Sequence, residues 1–233
     1  MLKVELHAHT DQDPLDRIPH STADLIDRAA ALGYGALAIT LHNRYFDPAP
    51  HTDYARERGI VLLPGIERTI AHRHVLLVNF PPESASLTSF EAVAELKAKT
   101  RGLVIAPHPF YPTFSALGRL LDLHPALFDA VEVNAMFTRL LDFNAPAVSS
   151  ARTHGKPLVG NTDLHLLDQM GTTYSLVDAP PEPDAICQAI REGRVEVRSQ
   201  PLSTFRAGAT FLRMGIGGAV GRLTRTISRQ NTR

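Results

Sequence analysis

Short apolar runs alternate with amphipathic segments along most of the chain. Runs at Lys3–Leu6, Ala36–Thr40, Ile60–Leu63 and Val75–Asn79, then Leu103–Ala106, Ala130–Val133, Leu158–Gly160 and Thr173–Val177, have the length and make-up of strands. Between them "STADLIDRAAALGYG" reads as a helix, with Ser21 as N-cap, Asp24 three residues on and Gly33 as its stop. "TSFEAVAELKAKTRG" repeats that grammar from Thr88 or Ser89 to Gly102, and "EPDAICQAIREG" does so up to Gly193. Strands alternating with helices predict βα units and a mainly parallel arrangement. About seven units in about 200 residues predict a closed or nearly closed, TIM-barrel-like β/α barrel. A doubly wound open sheet is the alternative, but no G-x-G-x-x-G follows the first strand.

The ends of the apolar runs carry the chemistry. In "VELHAHT" a period of two puts His7 and His9 on one face of an extended strand. His42 follows the second run, Glu67 the third, His108 the fifth, Asn134 the sixth, and Asp163 and His165 the seventh. In a parallel barrel these positions meet on one rim, although they are far apart in sequence. Imidazoles and carboxylates gathered there are ligands for divalent Mn, Fe or Zn.

Composition narrows this only a little. Apolar residues at 44% and charged residues at 21% are ordinary for a globular chain of 233 residues. With 24 basic against 24 acidic side chains, no net field provides a strong nucleic-acid signal. Eleven histidines accompany no tryptophan, and the lone Cys187 excludes an intrachain disulfide or a thiolate zinc cluster. The chain shows no secretory h-region and no apolar run of about 18 residues, so a cytoplasmic protein is expected. His51, His124 and His154 fall in or beside helices, where a surface or half-buried role is expected. Glu132 is expected to point away from the cluster, and "PHPFYP" at 107–112 to form a rigid pocket wall.

The motifs "ELHAHT", "AITLHN", "PGIE", "HVLLV", "APHP", "VEVN" and "GNTDLH", in this order over residues 3 to 180, resemble the PHP (polymerase and histidinol phosphatase) family. The resemblance implies a distorted seven-stranded β/α barrel over residues 1–200, and a basic extension over 201–233 lies outside it. It also implies up to three divalent metal ions at the strand C-termini and hydrolysis of phosphate esters. His7, His9, Glu67 and Asp163 would hold one ion, with Glu67 bridging to a second on His74 and His108. Asp16, His42 and His165 would hold the third. Asp11, Asp13 and His20 compete for the place of Asp16, and His72 for that of His74. The family usually reads Thr-Asp-His-Asn where this chain has Thr40-Leu41-His42-Asn43, which predicts weaker support for His42.

Such a site would lower the pKa of a bound water towards about 7 and so supply a hydroxide for in-line attack on a phosphoryl group. Glu67, Asp163 and His165 are the expected catalytic residues. Arg44, Arg68, Asn134 and Arg139 are expected to bind the substrate, a small phosphorylated metabolite or nucleotide. One alternative is C–N or C–O hydrolysis of the amidohydrolase type, whose bridging carboxylated lysine has no counterpart in Lys97, Lys99 or Lys156. The other is a non-catalytic metal-binding module that contacts a partner.

From Ser203 onward the grammar changes to six arginines, five glycines and no acid. Leu212, Ile216, Val220, Leu223 and Ile227 have the spacing of one helical face, with Arg222, Arg225 and Arg229 elsewhere. This predicts a helix packed on the barrel, or a basic attachment to an anionic membrane surface, RNA or a partner.

Overall fold

The first apolar run folds as β1 (Leu2–Ala8), buried on both faces from Val4 onward. Ser21 then caps α1 (Thr22–Ala31) through a reciprocal capping box with Asp24, and Gly33 leaves the helix at φ 71°. The computed structural model describes residues 1–210, 212 and 213. The chain continues through β2 (Ala36–Ile39), α2 (Thr52–Glu57), β3 (Val61–Leu63), β4 (Gly65–Ile70) and β5 (Arg73–Val78). It then forms α3 (Phe90–Lys97), β6 (Leu103–Ala106), α4 (Leu120–Leu123), β7 (Ala130–Asn134) and α5 (Asn144–Thr153). β8 (Leu158–Asn161), β9 (Thr173–Val177), α6 (Pro183–Arg191) and β10 (Val195–Ser199) follow. Residues 204–210 are helical.

The expected seven-stranded, mainly parallel barrel is not what forms. The ten strands make two five-stranded mixed sheets, ordered β10-β9-β1-β2-β3 and β4-β5-β6-β7-β8. One hairpin and one reversed strand account for the mixture. "GIERTI" and "RHVLLV" pair antiparallel around a turn at Ala71 and His72, so β5 runs against both β4 and β6. β9 likewise pairs antiparallel with β10 and with β1.

Where the sheets meet, isolated backbone bridges such as Ala8 with Leu164 are supplemented by side-chain hydrogen bonds. The Leu6 amide donates to Asn161 Oδ1 (3.2 Å), the Thr162 amide to Glu5 Oε1 (3.0 Å) and the Gly160 amide to Ser175 Oγ (2.8 Å). Burial pushes the Glu5 carboxyl up to about 8, against its hydrogen bonds from Thr162 and the His7 amide. On the other side Pro64, with no amide hydrogen to pair, separates β3 from β4.

The sheets share a core in which Val4, Leu6, Leu76, Ile105 and Val159 meet Ile186, Cys187 and Ile190 of α6. α1 covers the outer face of the first sheet, and α3 and α5 cover that of the second. A Cβ on Gly160 would lie 2.8 Å from the Tyr174 carbonyl oxygen, with Val197 also in contact. Gly160→Ala is therefore expected to lower unfolding stability by about 1–3 kcal/mol, read by urea denaturation.

Among the described residues no helix is long and apolar enough to cross a membrane. The apolar face expected at Ile216, Val220, Leu223 and Ile227, and Arg222, Arg225 and Arg229, lie outside the described residues.

Candidate metal centre

β1 delivers His7 and His9, both fully buried, and the loop after β2 delivers His42. An isolated parallel bridge sets His42 beside Glu67 of β4. His74 comes from β5 and His108 from the turn after β6, while Asp163 and His165 follow β8. His108 (φ 30°) and Asp163 (φ 53°) both hold left-handed backbone, which non-glycine residues adopt only when their surroundings enforce it.

These side chains converge. Glu67 Oε2 lies 3.5 Å from His7 Nε2, 3.5 Å from His9 Nε2 and 3.1 Å from His42 Nε2. Its other oxygen, Oε1, lies 2.5 Å from His74 Nδ1 and 3.3 Å from His108 Nε2. Asp163 Oδ1 is 3.2 Å from His7 Nε2, 3.4 Å from His9 Nε2 and 3.5 Å from His165 Nδ1. Tetrahedral ligands at about 2.0–2.1 Å from an ion stand about 3.3–3.4 Å apart. The four pairings of His7 and His9 with Glu67 and Asp163 match that spacing. His7 Nε2, His9 Nε2, Glu67 Oε2 and His74 Nδ1 are buried with no hydrogen-bond partner, a costly state that a cation would relieve. The donor set thus fits divalent metal ions.

Charge follows the same logic. Burial disfavours the His7 and His42 cations, but neighbouring carboxylates outweigh it. Asp163, Glu132 and Glu67 raise His7 well above its ordinary value. Glu67, Asp13 and Asp16 raise His42 to about 9. Burial opposes ionisation of Glu67 and Asp163 as well, yet the surrounding imidazoles hold both well below the usual carboxylate range.

Two acids behind the cluster orient it. Asp13 Oδ2 accepts from His9 Nδ1 (2.9 Å), His42 Nδ1 (3.0 Å) and the His42 amide (2.9 Å). A proton held at each Nδ1 leaves each Nε2 lone pair facing the site. The weaker support for His42 expected from Leu41 is therefore not found. Leu41 is buried in the apolar layer around α1, and Asp13 does the orienting. Asp13→Asn is expected to weaken metal affinity by about 10–100-fold, measured by competition with a chelating dye.

The second acid, Glu132, reverses an expectation. It points into the cluster, where it accepts from His7 Nδ1 (2.9 Å), the His108 amide (3.1 Å), Asn134 Nδ2 (2.9 Å) and Asn161 Nδ2 (3.0 Å). Glu132 and Asn134 are two apart on one strand, so the face expected for Asn134 already implied that of Glu132.

The other expected residues are placed as follows. Asp16 Oδ2 lies at the rim, 3.3 Å from His165 Nε2 and 3.9 Å from His42 Nδ1. His20 Nε2 pairs with the His9 carbonyl oxygen, while Asp11 and His72 are exposed. Asn134 spends its amide on Glu132 and the Met136 backbone. Arg68 is tied to the Leu87 carbonyl oxygen and Asn43 Oδ1, and exposed Arg44 to the Gln12 carbonyl oxygen. Arg139 borders a separate depression with Leu140 and Leu202. The ligand cluster opens into a cavity of about 200 Å³ whose far wall is Tyr111, Thr113, Ser115, Asn134 and Met136, and among the described residues no arginine or lysine lines it. His51, His124 and His154 lie elsewhere, against Phe46, Phe90 and Asp122.

The PHP-associated family matches residues 142–195. A PolC-type DNA polymerase III from Streptococcus suis is 42% identical over 74 residues, which are 31% of this chain and 5% of the polymerase. The chain thus spans a small fraction of the length of that relative. Among solved structures, a two-domain protein from Bacteroides vulgatus containing a predicted PHP-like metal-dependent phosphoesterase superposes with a TM-score of 0.65. It is 20% identical, over 85% of this chain and 65% of that one. The family match, the polymerase relative and such structures together support the PHP family for this chain. Two further structures share this fold. PsfC from Pseudomonas syringae superposes with a TM-score of 0.64 at 20% identity, over 94% of this chain and 98% of its own. The lesion-specific endonuclease Q from Pyrococcus furiosus gives 0.54 at 14% identity, over 84% and 57%.

Proposed function

We propose that this PHP protein is a metal-dependent phosphoesterase acting on a small phosphorylated metabolite or nucleotide. The observation that carries the reading is Glu67, one buried carboxylate whose two oxygens face five imidazoles. His7, His9, Glu67 and Asp163 would hold one Mn, Fe or Zn ion, and Glu67, His74 and His108 a second. His42 and His165 would hold a third, completed at the rim by Asp16. Divalent ions there would acidify water and neutralise phosphoryl charge.

The protein's own groups do the rest. Asp13 and Glu132 fix the imidazoles before substrate arrives, so little reorganisation is left for the reaction itself. His165 has an oxygen acceptor at each ring nitrogen, the Asp163 carbonyl at Nδ1 (2.9 Å) and Asp16 Oδ2 at Nε2 (3.3 Å). That arrangement would suit it to carry a proton to the leaving oxygen only while the third ion is absent, since an imidazole nitrogen that ligates a metal holds no proton. Thr113 and Ser115 would meet the substrate's polar atoms. The small cavity favours a compact substrate, and exposed Arg44, two residues after His42, remains our candidate at the rim. The amidohydrolase reading finds no lysine here, since Lys3 bonds the Leu32 carbonyl and Lys97 pairs with Asp129. The Streptococcus relative is named for DNA polymerisation and one structural neighbour for lesion cleavage, so nucleic-acid ends belong among the substrates tested despite the balanced net charge.

The test is phosphate release by the Mn-loaded protein across phosphomonoesters, nucleotides and 3′-phosphorylated oligonucleotides, with His108→Ala as control. Release that disappears in the variant is expected. No release above the variant, with metal shown to be bound to the wild type, would sink the reading.

A further inference from the structure

The end of the strands opposite the metal centre carries a second gathering of charge. Asp163 and His165 follow β8, whereas Lys156 precedes it, Asp129 precedes β7 and Arg191 ends α6. Arg152, Lys156 and Arg191 line a cleft of about 520 Å³ bounded by α5, the start of β8 and β10. Val148, Leu158, Val195 and Val197 give it an apolar wall. That volume is the size of a small-molecule site.

The charge in the cleft is unbalanced. Asp129 Oδ1 lies 2.8 Å from Lys97 Nζ and 3.5 Å from Arg191 Nε, and Oδ2 accepts from the Val104 amide (2.9 Å). Arg191 also donates to the Gly102 carbonyl oxygen (2.6 Å). Glu192, at the edge of the cleft, lies 2.8 Å from Arg194 Nη2. Neither acid reaches Arg152 or Lys156, and among the described residues no acceptor stands within hydrogen-bond or ion-pair distance of either cation. Lys156 is half-buried, and burial, with Lys97 nearby, holds its ammonium below the usual lysine range. An ammonium drawn out of water with its donors free is costly until an anion meets it.

Two unpaired cations match the double charge of a phosphate better than the single charge of a carboxylate. Arg152 offers a guanidinium fork and Lys156 a point charge, the two usual ways of holding phosphate. The valine wall beside them suits an uncharged organic body and has nothing to offer inorganic phosphate. We propose that this cleft binds a small phosphorylated organic molecule, with its phosphate on Arg152 and Lys156 and its apolar part against Val195 and Val197. The site is separate from the metal centre and independent of the reaction proposed there.

The test is an NMR titration of the Zn-loaded chain with benzylphosphonate, whose carbon–phosphorus bond a phosphoesterase does not hydrolyse. Saturable shifts of the Gly155, Gly193 and Val195 amides are expected. Lys156→Met and Arg152→Met should each raise the dissociation constant read at those amides at least about tenfold, the loss of a hydrogen bond to a charged group. Lys156→Arg, which keeps the charge, should retain most of the binding. Inorganic phosphate should bind about tenfold more weakly for want of an apolar part. Unchanged melting would show that these surface variants are folded. The proposal is overturned if those amides do not shift, or if shifts are confined to the neighbourhood of Asp163 and His165, which would put the probe in the metal centre alone. Binding that persists in both methionine variants would remove the two cations from the site. Equal shifts with benzyl alcohol, or equal affinity for inorganic phosphate, would overturn the ligand class.

Discussion

Glu67→Gln is expected to strip the site of metal and activity together while leaving the fold in place. The substitution keeps the volume and one carbonyl oxygen, so the packing of β4 survives. It removes the charge that both sets of imidazoles share, His7, His9 and His42 at Oε2 and His74 and His108 at Oε1. Losing that shared ligand should release at least one ion per chain and cut hydrolysis by about a thousandfold or more, the several kcal/mol that metal charge contributes to such a transition state. A second readout needs no turnover. In the metal-free wild type, imidazole NMR should find His42 titrating near 9, held up against burial chiefly by Glu67. In the variant the burial penalty is less opposed and that titration should move to lower pH. A variant with its full complement of metal and an unmoved His42 would remove Glu67 from the centre of the site.

Glu132→Ala should have the largest effect on stability. It strands four donors in a fully buried place, His7 Nδ1, the His108 amide, Asn134 Nδ2 and Asn161 Nδ2. Each unsatisfied buried group costs about 1–3 kcal/mol, and breaking a buried charged network typically costs about 3–5 kcal/mol. The metal-free variant should therefore lose about 3–5 kcal/mol in urea denaturation, a large part of the stability of an ordinary domain. Glu132→Gln, which keeps one acceptor oxygen, should recover part of the loss. A change below about 1 kcal/mol would mean that water or relaxation satisfies those donors.

Much of this arrangement was legible in the sequence, for definite reasons. His7, His9, His42, Glu67, His108, Asp163 and His165 each stand at or after the end of an apolar run, although His7 lies within β1 and Glu67 within β4. The strands themselves were legible by period, but period two is the same for parallel and antiparallel neighbours. The hairpin of β4 and β5 was therefore hidden, since "PGIE" looks like a loop once Pro64 and Gly65 are taken as punctuation. β10 was hidden because "VEVRS" is half exposed and charged. Asp13 was legible only as a competitor for Asp16. Its role depends on a loop folding back to reach His42, a contact 29 residues away that no local pattern encodes. Glu132 was recoverable from parity with Asn134, two residues on along the same strand.

The way the chain divides between the two sheets has a consequence for how the protein assembles. The second sheet is drawn from one continuous stretch, β4 to β8, whereas the first combines β1, β2 and β3 with β9 and β10 from the other end of the domain. Long-range closure of that kind is the slow part of folding, because the entropy of bringing distant segments together is lost before their contacts form. His7, His9 and His42 belong to the late-closing sheet and Glu67, His74 and His108 to the continuous one. A metal ion shared between them would act as a clasp, slowing the parting of the sheets and making chelation a route to unfolding from the seam outward.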